Sequence, residues 1–218
     1  LAKALPKYNT WDAQFMRLGY EEGLSRIGMD DKWGLIDKTG KEIVPCKYDY
    51  IGEFEEGFAL VKTCRIFGLI DKTGKEIFTT GDFNETYGFS EGLAAVRDRD
   101  RWGYIDKTGE WIIPGSFDSA SGFHEGLAAI QVYGKYGFID KKGNKVIKCI
   151  YDFAYSFNEG LAIVMNDCKY GVIDKTGKEV VRCIYDDIQD FNEGLAAVSK
   201  GDLWGYIDKT GKEEIPFT

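Results

Sequence analysis

The sequence predicts an all-β protein, a tandem array of six repeat units of about 34 residues, each a three-stranded antiparallel meander. Three observations predict this fold. An aromatic–glycine pair recurs with spacings of 34, 35, 34, 34 and 34 residues, a Glu-Gly-Leu or Glu-Gly-Phe motif keeps step with it, and the apolar runs have the length of strands. The six pairs are Trp33-Gly34, Phe67-Gly68, Trp102-Gly103, Tyr136-Gly137, Tyr170-Gly171 and Trp204-Gly205. Such self-similarity indicates an array in which each unit buries its apolar face on a neighbour.

Residues 56–79 show the elements of one meander. Gly57–Val61 is a short apolar run, a turn follows, and Phe67–Ile70 is a second apolar run. Asp71–Gly74 is a hairpin loop, in which the aspartate caps loop amides and the glycine takes the left-handed position. Residues 76–78 form the third run. The runs are too short for helices and too uninterrupted for half-solvated strands, so we expect the central strand to be buried on both faces.

Six complete meanders fit the chain, and no terminal strand is left over. The repeat domain, residues 22–218, contains them at 22–45, 56–79, 91–114, 125–148, 159–182 and 193–216, here called units 1 to 6. A closed propeller often shares one blade between its termini, and a 34-residue repeat is short for the ~40–45 residues of a four-stranded blade. We therefore predict an open superhelical stack, with a closed propeller-like ring as the alternative.

The segments outside the meanders have patterns of their own. Each connector carries two aromatic residues six positions apart, such as Tyr151 and Phe157, which are expected to pin one unit to the next. Residues 1–21 do not match the repeat. Asn9 or Thr10 can cap a short helix there, with apolar residues on one face. We predict that this N-terminal helix caps unit 1 or else ends a preceding domain.

Composition and charge exclude several classes of partner. A formal net charge of −8 argues against non-specific binding to nucleic acid or to an anionic membrane surface. No stretch approaches the ~18 consecutive apolar residues of a membrane span. No secretory signal is recognisable at the start of this sequence, which begins at Leu1 and not at Met. We expect a fragment or processed product that is fused to or associated with another domain.

The cysteine pattern indicates free thiols. There are five cysteines, an odd number, and no Cys/His cluster with the spacing of metal ligands. We interpret Cys46, Cys149 and Cys183, which share one repeat position, as small apolar fillers, with a Cys149–Cys183 disulfide as the alternative. Free thiols favour a reducing compartment, so the sequence leans towards the cytoplasm.

The repeat as a whole resembles the bacterial WG (KWG) repeat family. The resemblance rests on Trp-Gly-x-Ile-Asp-Lys-Thr-Gly-Lys-Glu-Ile, then Tyr-Asp, then Phe-x-Glu-Gly-Leu-Ala-x-Val, over residues 20–218. Phe67, Tyr136 and Tyr170 depart from it by replacing the tryptophan, which suggests that ring bulk matters more than the indole N–H. The resemblance implies a repeat domain that mediates interactions, and it supplies no catalytic residue.

Candidate chemical groups have structural explanations in this pattern. The six loop aspartates, one per unit, are predicted to cap turns, because a calcium site needs six to eight converging oxygens and each loop offers one aspartate. The lone His124 takes a variable position, no serine or cysteine has a histidine base by motif, and no phosphate-binding loop exists. We predict no catalytic, cofactor-binding or metal-binding residue, and therefore no enzyme.

The predicted function is protein–protein interaction or scaffolding. The aromatic–glycine pairs are interpreted as a core ladder, and their alternative role as a sugar-stacking platform gives the alternative function, a carbohydrate- or cell-wall-binding module. The hairpin-loop lysines are expected to form a solvated edge or, alternatively, a docking ridge for an acidic partner. Specificity should lie where the units differ and face solvent. The residues predicted to bind the protein partner are Arg99, Arg101, Tyr133 and Tyr155.

Overall fold

The structure is a computed structural model that describes residues 23–64, 66–78 and 83–218. In these residues the regular secondary structure consists of strands in six antiparallel sheets, which confirms the all-β prediction. The predicted N-terminal helix, in residues 1–21, lies outside the described residues.

Strands that are consecutive in the sequence belong to the same sheet, and the sheets follow one another in the order of the sequence. The first sheet contains, within the described residues, β1 (Leu24–Met29), β2 (Lys32–Asp37) and β3 (Glu42–Tyr48). The second contains β4 (Tyr50–Glu55), β5 (Phe58–Thr63), β6 (Ile66–Asp71) and β7 (Glu76–Phe78), and the third contains β8 (Phe83–Ser90), β9 (Leu93–Asp98), β10 (Arg101–Asp106) and β11 (Trp111–Phe117). The fourth contains β12 (Ser119–Ala120), β13 (Leu127–Val132), β14 (Lys135–Asp140) and β15 (Lys145–Tyr151). The fifth contains β16 (Phe153–Ala154), β17 (Leu161–Asn166), β18 (Lys169–Asp174) and β19 (Glu179–Tyr185), and the sixth contains β20 (Asp187–Ile188), β21 (Leu195–Lys200), β22 (Leu203–Asp208) and β23 (Glu213–Ile215).

Five of the six sheets have four strands, so the prediction of three-stranded units is wrong for them. The connector after each meander turns back and forms the outer strand of the next sheet. In the fifth sheet, for example, Phe153 pairs with Met165 and Ala154 pairs with Val164. An outer strand of only two residues is too short to show an alternating pattern, and its pairing depends on a partner strand ten residues away.

The chain forms two compact halves, Leu1–Asp100 with Tyr104–Trp111 and Arg101–Gly103 with Ile112–Thr218. In each half, the hydrophobic core lies between successive sheets.

In the N-terminal half, both faces of the second sheet are buried. Leu35 and Val44 of the first sheet pack against Ala59 and Ile70 of the second. Leu69, the residue before Ile70, lies on the opposite face of β6 and packs against strands of the third sheet. Successive residues of a central strand therefore enter two different cores.

The C-terminal half repeats this arrangement. Phe138 of β14 packs against Ile173 of β18 and against Phe157, which lies between β16 and β17, and the two phenyl rings meet edge to face with centroids 4.8 Å apart. Val172, next to Ile173 in β18, faces the core shared with the sixth sheet. The predicted burial of the central strands on both faces is confirmed in both halves.

The aromatic pairs of the connectors lie within these cores. Tyr151 and Phe157 are both in the core between the fourth and fifth sheets, and Tyr185 and Phe191 are both in the core between the fifth and sixth. Their predicted role of pinning one unit to the next is confirmed.

A large β-bulge explains the glycine of the aromatic–glycine pair. Tyr136 lies opposite Tyr151 and Phe138 lies opposite Ile147, so three residues of β15 face the single Gly137 of β14. A Cβ atom on Gly137 would lie 2.5 Å from the carbonyl oxygen of Ile147 and 2.7 Å from the backbone nitrogen of Cys149. The position is therefore kept small by the backbone of the adjacent strand.

Candidate interaction surface

The hairpin-loop aspartates cap their own turns, as predicted. The Asp174 Oδ1 atom accepts hydrogen bonds from the Thr176 amide at 2.9 Å, the Thr176 hydroxyl at 2.6 Å and the Lys178 amide at 3.0 Å. These bonds, the hydroxyl bond foremost, hold the pKa of Asp174 below its ordinary value. Equivalent aspartates cap the other loops: Asp37, Asp71, Asp106, Asp140 and Asp208. One oxygen saturated with amide and hydroxyl donors is suited to a turn and not to a metal ion.

We expect the protein to lose stability at acid pH for this reason. A carboxyl whose folded pKa lies below its unfolded pKa contributes stability above the unfolded value, and this contribution is lost as the pH falls through the folded value. The ordinary values are 3.8 for aspartate and 4.5 for glutamate. The melting temperature should therefore stay level from pH 7 to about 5 and fall below about 4.5.

The matched variant for this prediction is Asp174→Asn. It should lower the melting temperature more at pH 7 than at pH 3, where the wild-type aspartate is itself becoming neutral. Thermal denaturation followed by circular dichroism measures both effects. A melting temperature that is constant down to pH 3 would contradict the prediction.

The glutamates of three Glu-Gly motifs, Glu56, Glu125 and Glu159, join their units to the next ones. Glu125 has a left-handed backbone, with φ of 54°, and its carboxylate accepts the Gly160 amide at 3.0 Å. The Nζ atom of Lys175 lies 3.0 Å from the same carboxylate and donates to the Glu125 carbonyl oxygen, also at 3.0 Å. Lys107 with Glu56 and Lys209 with Glu159 form the same ion pair. These loop lysines therefore bind a carboxylate of the preceding unit, and we call each such glutamate–lysine contact a clamp. Neither of the predicted roles of the lysines, a solvated edge or a docking ridge, included this contact.

Removing one clamp should destabilise the fold measurably. We expect Glu125→Ala to lower the free energy of unfolding by about 1–2 kcal/mol, because one charge-assisted amide bond and one partly exposed ion pair are lost. The control is Glu193→Ala, since the carboxylate of Glu193 has no hydrogen-bond or ion-pair partner among the described residues. Urea denaturation of the two variants makes the comparison. Equal losses would show that the clamp contributes nothing.

The aspartates that follow four of the meanders, Asp49, Asp118, Asp152 and Asp186, make a second link between units. The Oδ1 atom of Asp152 lies 2.5 Å from Nζ of Lys135, and its Oδ2 atom accepts the Asp167 amide at 2.9 Å. Lys135 precedes the aromatic–glycine pair of unit 4, and Asp167 lies in the corresponding turn of unit 5. The carboxylate therefore fixes one turn against its neighbour.

Two of the predicted partner-binding residues lie at one such link. The guanidinium of Arg101 pairs with the carboxylate of Asp118, which also accepts the Tyr133 amide at 2.6 Å. The Tyr133 side chain is 92% exposed at the tip of a two-residue turn with Gly134, where both residues have positive φ. A bulky side chain in this conformation is uncommon. Arg99 has a positive φ as well, of 54°.

Tyr155, the fourth predicted residue, belongs to a cluster that the sequence pattern did not reveal. Its ring meets Phe153 edge to face at 5.0 Å, and Phe153 lies 5.2 Å from Tyr136. Burial foremost, and then the neighbouring Tyr170, raise the pKa of Tyr155. Tyr155 is 45% exposed, and the other three rings are half-buried. We call this set, Tyr136, Phe153, Tyr155 and Tyr170, the aromatic row.

The aromatic row occurs once in the described chain because the outer strands differ in sequence. The residues equivalent to Phe153 are Tyr50, Glu85, Ser119 and Asp187, and those equivalent to Tyr155 are Gly52, Tyr87, Ser121 and Gln189. Only the connector of β16, with Phe153 and Tyr155, has an aromatic residue at both positions. An alignment of the connectors against each other contains this signal, but its meaning depends on knowing that the connector is a strand.

A comparison with protein-family models identifies the repeat. The model described as "WG containing repeat" matches residues 33–63, 67–102, 102–136, 136–170, 170–204 and 204–218. The chain belongs to the WG-repeat family. Each match begins at or next to the aromatic–glycine pair, so the family model and the internal repeat agree in period and in phase.

Solved structures similar to this WG-repeat chain show the fold alone. Hsv2 of Kluyveromyces lactis aligns with a TM-score of 0.52 at 10% identity, over 86% of this chain and 70% of that chain. A eukaryotic initiation factor aligns with a TM-score of 0.54 at 13% identity, over 85% of this chain and 60% of that chain. These neighbours have β-propeller-like folds. A search of curated proteins finds no match.

The aromatic residue of the WG pair is mostly, but not uniformly, covered. Trp102 is buried, Tyr136 and Tyr170 pack partly against the cores, and Trp204 of the sixth sheet is 41% exposed. Most of these rings thus pack in the core, as predicted, and the exposed parts of the others lie at the surface.

Other candidate groups of the WG-repeat chain are structural. All five cysteines are free thiols, so the alternative Cys149–Cys183 disulfide is not formed, and burial raises the pKa of both thiols. In the described residues, no group of three or more His, Cys, Asp and Glu side chains is arranged to hold a metal ion. The same residues include no helix long and apolar enough to cross a membrane.

Proposed function

We propose that this WG-repeat chain is a non-catalytic interaction domain that binds a protein partner or acts as a scaffold. The observation that carries the proposal is a difference between the contact-forming and the exposed positions of the repeat. The groups that hold the sheets together recur from unit to unit, whereas the exposed groups at turn tips and outer strands differ. Tyr133, for example, occupies the turn position that Asp167 and Gly201 occupy in the next two units. A repeated scaffold with variable exposed positions is typical of binding arrays.

Affinity capture from the native host, followed by mass spectrometry, tests this function. The wild-type chain should retain a specific protein, and Arg99→Glu combined with Tyr133→Ala should weaken its capture. Arg101 is left unchanged, because its ion pair with Asp118 holds a turn. The control is Lys178→Glu on the loop edge. If the control loses the partner and the turn variant keeps it, docking runs along the lysine edge. If the wild type retains no protein, the proposal fails.

The second candidate is a carbohydrate- or cell-wall-binding module, and the half-exposed aromatic row is the observation that favours it. Aromatic faces stack on sugars as well as on protein side chains. Titration with cello-oligosaccharides, followed by tyrosine fluorescence, tests this alternative. Saturable binding that is lost in Tyr155→Ala would support it over a protein partner.

The arrangement of the six sheets also stays a prediction, as an open superhelical stack or as a propeller-like ring. The phase of six complete meanders supports the stack, and the propeller-like structural neighbours support the ring. Small-angle X-ray scattering decides between them, because the stack has the larger radius of gyration. The domain boundaries at residues 21 and 22, the compartment and an association with another domain stay predictions as well.

A further inference from the structure

The aromatic row ends beside two carboxylates that have no ion pair in the described part of the chain. Asp187 is the repeat equivalent of Phe153, and Tyr170 is the equivalent of Tyr136. Asp187 therefore takes, next to the ring of Tyr170, the position that Phe153 takes next to Tyr136. Asp190 follows three residues later, and both carboxylates are exposed.

We propose that the aromatic row, together with Asp187 and Asp190, binds an arginine side chain of a protein partner. This inference rests on the protein-binding function proposed above and names the chemistry of the partner's contact.

The ring geometry suits a cation better than a flat sugar. The planes of Tyr136 and Phe153 are inclined by 54°, and those of Phe153 and Tyr155 by 72°. Rings inclined to one another offer no single level platform on which a flat sugar ring could stack. A cation within about 6 Å of the exposed face of Tyr155 is attracted by the electron-rich face of that ring.

The electrostatics point to the same ligand. Burial is the largest cause of the raised pKa of Tyr155, and the neighbouring Tyr170, Asp187 and Asp190 raise it further. The negative charge of the two carboxylates is therefore felt at the Tyr155 side chain. Lys135 and Lys169, which precede Tyr136 and Tyr170 in the turns, are already paired with Asp152 and Asp186. The patch therefore presents uncompensated negative charge on a chain of net charge −8.

Arginine fits this combination better than lysine does. The guanidinium is planar, so one face can stack on a ring while its edge donates two hydrogen bonds to a carboxylate. Lysine offers only a compact, strongly hydrated charge. The outer strand β16 lies at the edge of its sheet, so a partner segment can approach the row without displacing any strand.

The direct test titrates the whole chain with acetyl-Gly-Arg-Gly-Arg-Gly-amide and with the same peptide carrying lysine, followed by NMR chemical shifts. The arginine peptide should bind more tightly and should shift the amides of β16 and β20. Tyr155→Ala and Asp187→Asn should each weaken binding about three- to tenfold. Tyr155→Phe should retain most of the affinity, because the ring face remains.

Matched controls separate this site from general attraction to an acidic protein. Tyr50→Ala removes an exposed ring and Asp202→Asn removes an exposed carboxylate elsewhere, and neither should change the affinity for the arginine peptide. Equal affinities for the arginine and lysine peptides, or equal losses in controls and site variants, would overturn the inference. So would shifts of the same amides by a cello-oligosaccharide without any by the arginine peptide.

Partner capture keeps the two proposals distinguishable. If the wild-type chain captures a protein and Tyr155→Ala captures it equally well, the arginine site is wrong and the interaction function stands. If the wild type captures no protein, the interaction function fails, and the arginine site fails with it as a partner-docking site. Circular dichroism melts confirm that the variants are folded.

Discussion

Gly137→Ala is expected to lower the free energy of unfolding by about 3 kcal/mol or more, the upper range of overpacking effects. The added methyl group would lie 2.5 Å from the Ile147 carbonyl oxygen and 2.7 Å from the Cys149 nitrogen. Both are backbone atoms of the bulge, so no side-chain rotation relieves the clash. The strand pairing or the bulge has to change instead. For a chain of this length the melting temperature should fall by about 6–12 °C.

A second strand glycine provides the control. In Gly28→Ala of β1, the nearest atoms to the new Cβ are 3.8 Å away, which is ordinary van der Waals contact. Gly28→Ala should therefore change stability by less than about 1 kcal/mol, since alanine also restricts the unfolded chain. Thermal and urea denaturation of the two variants compare them. Similar effects for both would mean that the bulge does not constrain the aromatic–glycine pair.

Phe138→Ala should cost about 3–5 kcal/mol, the range for a buried phenylalanine in a well-packed core. Its side chain has no solvent exposure and lies in the core between the fourth and fifth sheets, where it meets Phe157 edge to face. The variant leaves a cavity between two sheets, so the loss should spread to both. Hydrogen exchange should show faster opening in β14 and in β17 and β18.

Two variants calibrate this result. Phe138→Leu keeps most of the buried volume and should lose less stability than Phe138→Ala. Tyr133→Ala removes a ring that is almost fully exposed and should change stability by no more than about 0.5 kcal/mol. An equal effect of Phe138→Ala and Tyr133→Ala would refute the placement of the core between successive sheets.

Much of the fold was predictable because its determinants are local and repeat. The aromatic–glycine pair, the Glu-Gly motif and the Asp-capped loop mark each hairpin by short-range chemistry. The Asp174 cap, for instance, involves only Thr176 and Lys178. Six copies of each motif reinforce one another, so the all-β class, the meander strands and the doubly buried central strand followed from the residues alone.

The fourth strand was not predictable in the same way. Its ladder is two residues long in the fourth, fifth and sixth sheets, and its pairing is specified by the strand of another unit. The roles of Glu125 and Asp152 were hidden for the same reason, because the partners of Glu125 lie in the next unit and those of Asp152 lie in the turns of two different units. In the sequence, carboxylates that recur in each unit are indistinguishable from solvated surface groups. Their structural role is visible only when the structure shows the lysine and the amide that they bind.

The sequence by itself determined the period, the strands and the turns of this WG-repeat chain, because these depend on contacts between residues close in the chain. Only the tertiary structure decided how units are joined. It showed that Gly137 lies under a backbone bulge, that Lys175 clamps Glu125, and that Tyr155 stands in a row of rings. Each of these contacts joins strands that are separate in sequence, and their geometry depends on the register and packing of whole sheets.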